Sequence, residues 1–184
     1  EVVCHRSIWS FIFLLIIITF LGRIKEFINI FKSSYLMFYL SITGLLITTN
    51  WTGFILSINI NRLQDASMGY YISPIISIGL GYLFLKEKIS KLKLASLVLM
   101  IFSIIFLLIS MKTIPYLAIL IALTWAFYGL IRKKINVSSE IGLLYESGFI
   151  SIFAILYLFY LIFFGKAYFL NYNLYTSIFL ILTG

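Results

Sequence analysis

Charged residues cut the chain into seven long apolar runs, at 7–22, 33–61, 66–85, 94–111, 113–131, 147–165 and 167–184. A helix that crosses hydrocarbon needs about 20 consecutive apolar residues, with roughly 17–25 usual. The first run falls slightly short and extends back through His5 and Arg6, whereas 33–61 is too long and must be trimmed or tilted. Only Lys112 separates 94–111 from 113–131, and Pro115 marks the first turn of the later run, so a tight hairpin is predicted there. The tripeptide NYN at 171–173 interrupts the last run and places its helix start near Leu174. The pattern predicts an all-α membrane protein, a polytopic helical bundle of about seven spans of which the last is cut short.

Composition strengthens that picture. The chain is 62% hydrophobic and 11% charged, with a mean hydropathy of +1.11, against about 25% charged in soluble domains. Its formal net charge of +8 raises nucleic acid as a partner, but the bases sit in short clusters between apolar runs, as topology signals do. Around successive runs Lys and Arg number 1 (Arg6), 3 (Arg23, Lys25, Lys32), 1 (Arg62), 4 (Lys86, Lys88, Lys91, Lys93), 1 (Lys112), 3 (Arg132, Lys133, Lys134) and 1 (Lys166). This unbroken alternation assigns the rich linkers to the cytoplasm and Glu1 to the outside. The lipid bilayer is then the surrounding partner, and nucleic acid is not one. Cys4 is the single cysteine, which excludes an intramolecular disulfide. A chain that opens on Glu1 without methionine and stops in an apolar run is expected to be a piece of a longer protein or a split gene.

Polar and small residues inside the runs supply the candidate chemistry. Ser73, Ser77 and Gly81 recur every four residues as a small stripe, with Pro74 beside it. Such a stripe is a helix-packing seam, and in a cavity wall it allows a kink. Asn50 shares a face with Phe54, Ser57 and Asn61, and an amide in hydrocarbon must be paired or face a wet cavity. Ala118, Ala122 and Ala126 form a second small stripe, with Trp125 and Tyr128 lying off it. There is no G-x-x-x-x-G-K-[ST] and no H-E-x-x-H, so no catalytic, metal or cofactor site is expected. The six carboxylates (Glu1, Glu26, Asp65, Glu87, Glu140, Glu146) read as lying outside the spans or at their edges, which leaves a buried acid–base centre unsupported. Residues 6–13 can be laid on 146–153 with three identities in eight positions, in spans of opposite direction, the pattern of an inverted repeat.

The segments HRSIWSFIF (5–13), NWTGFILSIN (50–59), ASMGYYISPIISIGLGYLFLKEK (66–88) and AFYGLIRKKINV (126–137) resemble the RarD-like family of EamA-type drug/metabolite transporters. The resemblance runs in order from Glu1 to about Glu146. It implies a ten-helix inner-membrane transporter of two inverted five-helix halves. Residues 1–111 would be the first half without its first helix, and 112–184 the start of the second. It further implies a central cavity for a small-molecule substrate, carried here by Asn50, Trp51, Tyr70, Ser73, Trp125 and Tyr128, with further helices or a second copy completing the bundle. The resulting expectation is an alternating-access permease for a metabolite or drug-like molecule, not an enzyme. A non-transporting membrane scaffold and a non-functional remnant are the other two classes. Water access to Asn50 and Trp125 separates the scaffold from the permease, and the flanking gene sequence identifies a remnant.

Overall fold

The computed structural model describes residues 1–110, 115–169 and 172–184. The helices among them are α1 (Val2–Phe20), α2 (Ile24–Ile30), α3 (Ser34–Asn59), α4 (Leu63–Leu85), α5 (Lys91–Ser110), α6 (Tyr116–Lys134), α7 (Ser139–Phe163) and α8 (Leu174–Leu182). Six of them, all but α2 and α8, are long and apolar enough to cross a membrane. The chain is a polytopic helical membrane protein. α1 does extend back through His5 and Arg6, and α3 is trimmed to 26 residues. The expected hairpin at Lys112 and the first asparagine of NYN fall outside the described residues. α8 starts at Leu174, where the Asn173 side chain accepts from Thr176 N at 2.9 Å and satisfies one exposed backbone donor.

Two features depart from the charge-based cut. α2 is a short helix inside the linker that holds Arg23, Lys25 and Lys32, and its Ile30 is buried. α7 begins at Ser139, so Glu146 lies two turns inside it rather than at its edge. Glu146 is 0% exposed and accepts a hydrogen bond from Thr43 Oγ1 at 2.7 Å. The expectation that every carboxylate sits outside or at the margin of a span therefore fails at Glu146. A hydrogen-bonded carboxylate can be carried inside a helix bundle, so a charge does not by itself end a span.

The helices gather into two compact units. One comprises Glu1–Thr48 with Ile135–Gly184, the other Thr49–Lys134, so α3 contributes its first part to one and its last part to the other. In the first unit α1 and α7 pack antiparallel: Ile18 shares a buried cluster with Ile141 and Leu144, while Ile8 and Cys4 lie against Leu158 and Leu161. Gly148 makes room for this contact, because a Cβ there would come within 2.8 Å of the Phe11 ring. Near one end of the same unit Arg23 binds Glu26 (2.7 Å), Ser138 (3.0 Å) and Glu140 (3.6 Å). The hydrogen bond to Glu26 raises the guanidinium pKa and lowers that of the carboxyl.

In the second unit α4 and α6 run parallel. The Arg62 guanidinium at the start of α4 lies 4.5 Å from the centroid of Tyr116, at the start of α6, and also pairs with buried Asp65 at 3.1 Å. At the far ends Lys133 pairs with Glu87, and Lys134 lies 5.6 Å from the Phe84 ring centroid. Between these ends the alanine stripe is buried as a packing surface, with Ala118, Ala122 and Ala126 at 1% exposure or less.

Candidate functional site

The residues singled out as a cavity wall (Asn50, Trp51, Tyr70, Ser73, Trp125, Tyr128) all belong to the second unit. Their arrangement is organised by Ile121 of α6. Its side chain fills a notch left by two glycines on different helices: a Cβ on Gly53 of α3 would meet it at 3.3 Å, and one on Gly69 of α4 at 2.8 Å. Three backbones therefore approach closely at one point, as small residues permit in membrane bundles. The Ile121 carbonyl then accepts from Asn50 Nδ2 at 2.8 Å, and the same nitrogen donates to Thr124 Oγ1 at 3.1 Å.

Asn50 is 1% exposed, and among the described residues its Oδ1 has no hydrogen-bond donor. A buried side-chain acceptor left unpaired costs about 1–3 kcal/mol. The amide thus holds α3 to α6 through its nitrogen and keeps an unused acceptor at a point where three helices meet. One helical turn along α6, Trp125 and Tyr128 stack with ring centroids 5.7 Å apart, and Trp125 is 41% exposed. On α4 the exposed Tyr70 ring packs edge-on against Phe54 at 6.1 Å. Trp51 is half-buried.

The Ser73, Ser77, Gly81 stripe divides. Ser73 is buried, and its hydroxyl donates to the Gly69 carbonyl at 2.8 Å. Ser77 and Gly81 instead line a space of about 300 Å³ together with Ala126, Gly129, Glu87 and Lys133. α4 runs through exposed Pro74 as one helix. It ends with Lys86 in the left-handed conformation (φ +54°), so that Glu87 N–H reaches back to the Gly81 carbonyl at 3.2 Å. The Lys133 hydrogen bond holds the Glu87 carboxyl below the usual carboxylate range.

Sequence reasoning found Asn50 because an amide stands out in an apolar run. It passed over Thr124 and Ile121, whose roles depend on partners from other helices. Thr43 and Glu146 were also passed over, although a carboxylate seven residues into a helix offers a signal once the helix start is known.

The chain matches the EamA-like transporter family over residues 1–109. It is 37% identical over 161 residues to an uncharacterized transporter of Vibrio cholerae serotype O1, covering 88% of this chain and 53% of that protein. It is 33% identical over 159 residues to Protein RarD of Escherichia coli K12, covering 86% and 54%. Against the uncharacterized transporter YojE of Bacillus subtilis 168 it is 36% identical over 161 residues, with 86% and 54% covered. The chain spans about half the length of the curated relatives it matches. No solved structure matches it.

Proposed function

Because the chain belongs to the EamA-like transporter family, we propose that the full-length protein is a secondary permease. It carries a small metabolite or drug-like molecule across the bacterial inner membrane by alternating access, and it catalyses no covalent chemistry. The observation that carries this reading is the unpaired Oδ1 of Asn50, buried where α3, α4 and α6 converge. A conformation that admits water or a substrate donor to this oxygen recovers the cost of the missing hydrogen bond, which lowers the free energy needed to reach a second, open state. The proposed cavity wall comprises Asn50, Trp51, Tyr70, Ser73, Trp125 and Tyr128, with the aromatic rings offering flat apolar area beside one polar contact. The Ser77/Gly81 region supplies room for helix movement. In this reading 1–111 and 112–184 belong to two inverted repeats, and Glu1 lies outside.

The test uses single cysteines in a Cys4→Ser background. Asn50→Cys is expected to react slowly with a water-soluble maleimide in membranes, because the closed state buries it. Complete resistance from both faces, together with full transport by Asn50→Leu in the full-length protein, would leave the amide as interhelical glue and favour the scaffold. For orientation, cysteines at Asn29, Lys91 and Asn136 are expected to be shielded from an impermeant reagent in intact cells, and those at Gln64 and Tyr168 to react. Labelling at Lys91 reverses the assignment.

A further inference from the structure

In the first unit an apolar groove of about 360 Å³ opens beside the α1/α7 contact, its wall including Phe11, Phe27, Phe31, Phe149, Ile152 and Ile155. That volume lies at the low end of the roughly 300–1,000 Å³ usual for small organic ligands. The polar atoms at its edge are already engaged. Ser151 Oγ donates to the Ser147 carbonyl at 2.7 Å, and Tyr145 Oη lies 3.4 Å from Ser41 Oγ. The groove therefore offers a polar solute no free hydrogen-bonding seat on these groups, and its aromatic wall suits a flexible hydrocarbon chain.

α2 decides what kind of chain. Phe27 and Phe31 are four residues apart on one side of this segment, with ring centroids 5.4 Å from each other, and both line the groove. Lys25 in α2 and Lys32 in the turn that follows it are both exposed. Among the described residues neither lysine has an ion-pair partner, whereas the neighbouring Arg23 is occupied by Glu26 and Glu140. One short segment thus presents an apolar wall to the groove and carries two exposed cations next to those aromatic residues in sequence. We propose that the α1–α2–α7 groove binds one acyl chain of an anionic phospholipid, whose headgroup phosphate is held by Lys25 and Lys32.

The experiment is native mass spectrometry of the 184-residue chain, released from micelles containing equal phosphatidylglycerol and phosphatidylcholine. Two lysines at a membrane surface correspond to a preference of about thirty-fold for the anionic lipid. Lys25→Gln with Lys32→Gln, a surface change that spares the fold, is expected to bring the two lipids near parity while total bound lipid stays the same. Ile152→Trp fills the groove from a position that is 59% exposed, and is expected to remove both lipids with thermal unfolding unchanged. The proposal is overturned if the wild-type chain retains neither lipid, or if the lysine variant keeps the thirty-fold preference. It is equally overturned if Ile152→Trp holds as much lipid as wild type, or if the chain is a dimer that Ile152→Trp separates, since the groove would then join two copies.

Discussion

The two units solve the same packing problem with different parts. In the first, antiparallel α1 and α7 meet where the Phe11 ring lies over Gly148, and the buried polar group is the Glu146 carboxylate held by Thr43. In the second, parallel α4 and α6 meet where Ile121 fills a notch between Gly53 and Gly69, and the polar side chain buried beside that notch is the neutral Asn50 amide held to Thr124. A phenyl ring can turn away from an added methyl group. A β-branched carbon fixed to its own helix cannot, and the Ala118 carbonyl, 3.0 Å from a Cβ on Gly69, is equally immovable. The comparison shows that a close approach is only as tolerant as the atom that fills it.

The largest effect should come from that difference. Gly69→Ala is expected to destabilise by about 1–3 kcal/mol through overpacking. Gly148→Ala is expected to cost well under half as much, because only the Phe11 ring must shift. Gly79→Ala, which meets nothing within 4 Å, should be neutral or stabilising by a few tenths of a kcal/mol. Thermal unfolding of the three variants in one detergent checks the order, and equal losses at Gly69 and Gly148 would erase the distinction.

Comparable at the upper end and smaller at the lower are the hydroxyl deletions. Thr43→Val removes a donor from a buried carboxylate, an interaction of about 1.5–3 kcal/mol. Thr124→Val removes a neutral acceptor from Asn50, for which about 0.6 kcal/mol is typical in membrane bundles. A greater loss at Thr124 in unfolding measurements would mean that the amide, not the carboxylate, is the costlier group to leave short of a partner. Smaller again is Lys86→Gly, which relieves a left-handed residue with a side chain and should raise stability by a few tenths to about 1 kcal/mol.

The smallest effect concerns pH. Because Lys133 lowers the folded pKa of Glu87, the stabilisation from this pair is present above the ordinary glutamate value of about 4.3 and is lost as pH falls through the folded value. The pair is exposed and its contribution slight. Melting curves of wild type and Glu87→Gln should therefore differ a little at pH 7 and converge in acid. Divergence on acidification would contradict the pairing.

The spans were legible because a soluble fold has little use for so many long uncharged runs. The start of α8 could be placed near Leu174 because NYN interrupts the apolar run, and Asn173 caps the helix there. α2 was hidden by the same rule that found the spans, since cutting at charges discards a short amphipathic helix bearing Lys25 and Glu26. Glu146 was misplaced for the same reason. Asn50 stood out by chemistry alone. Ile121 could not, because an isoleucine in an apolar run carries no signal until Gly53 and Gly69 from two other helices are placed against it.

Parallel alignment of α4 and α6 has an electrostatic consequence. Peptide dipoles sum to about half a negative charge at each helix C-terminus, so two parallel helices set two like partial charges side by side. Antiparallel α1 and α7 oppose theirs and incur no such repulsion. Lys86 and Lys88 follow the end of α4, and Arg132, Lys133 and Lys134 occupy the last turn of α6, where cations are favourable. The bases that read as signposts of membrane sidedness therefore also neutralise a repulsion created by the helix directions. Removing Lys88, Arg132, Lys133 and Lys134 one by one should loosen the α4/α6 pair from that end first, and high salt should loosen it less once they are gone.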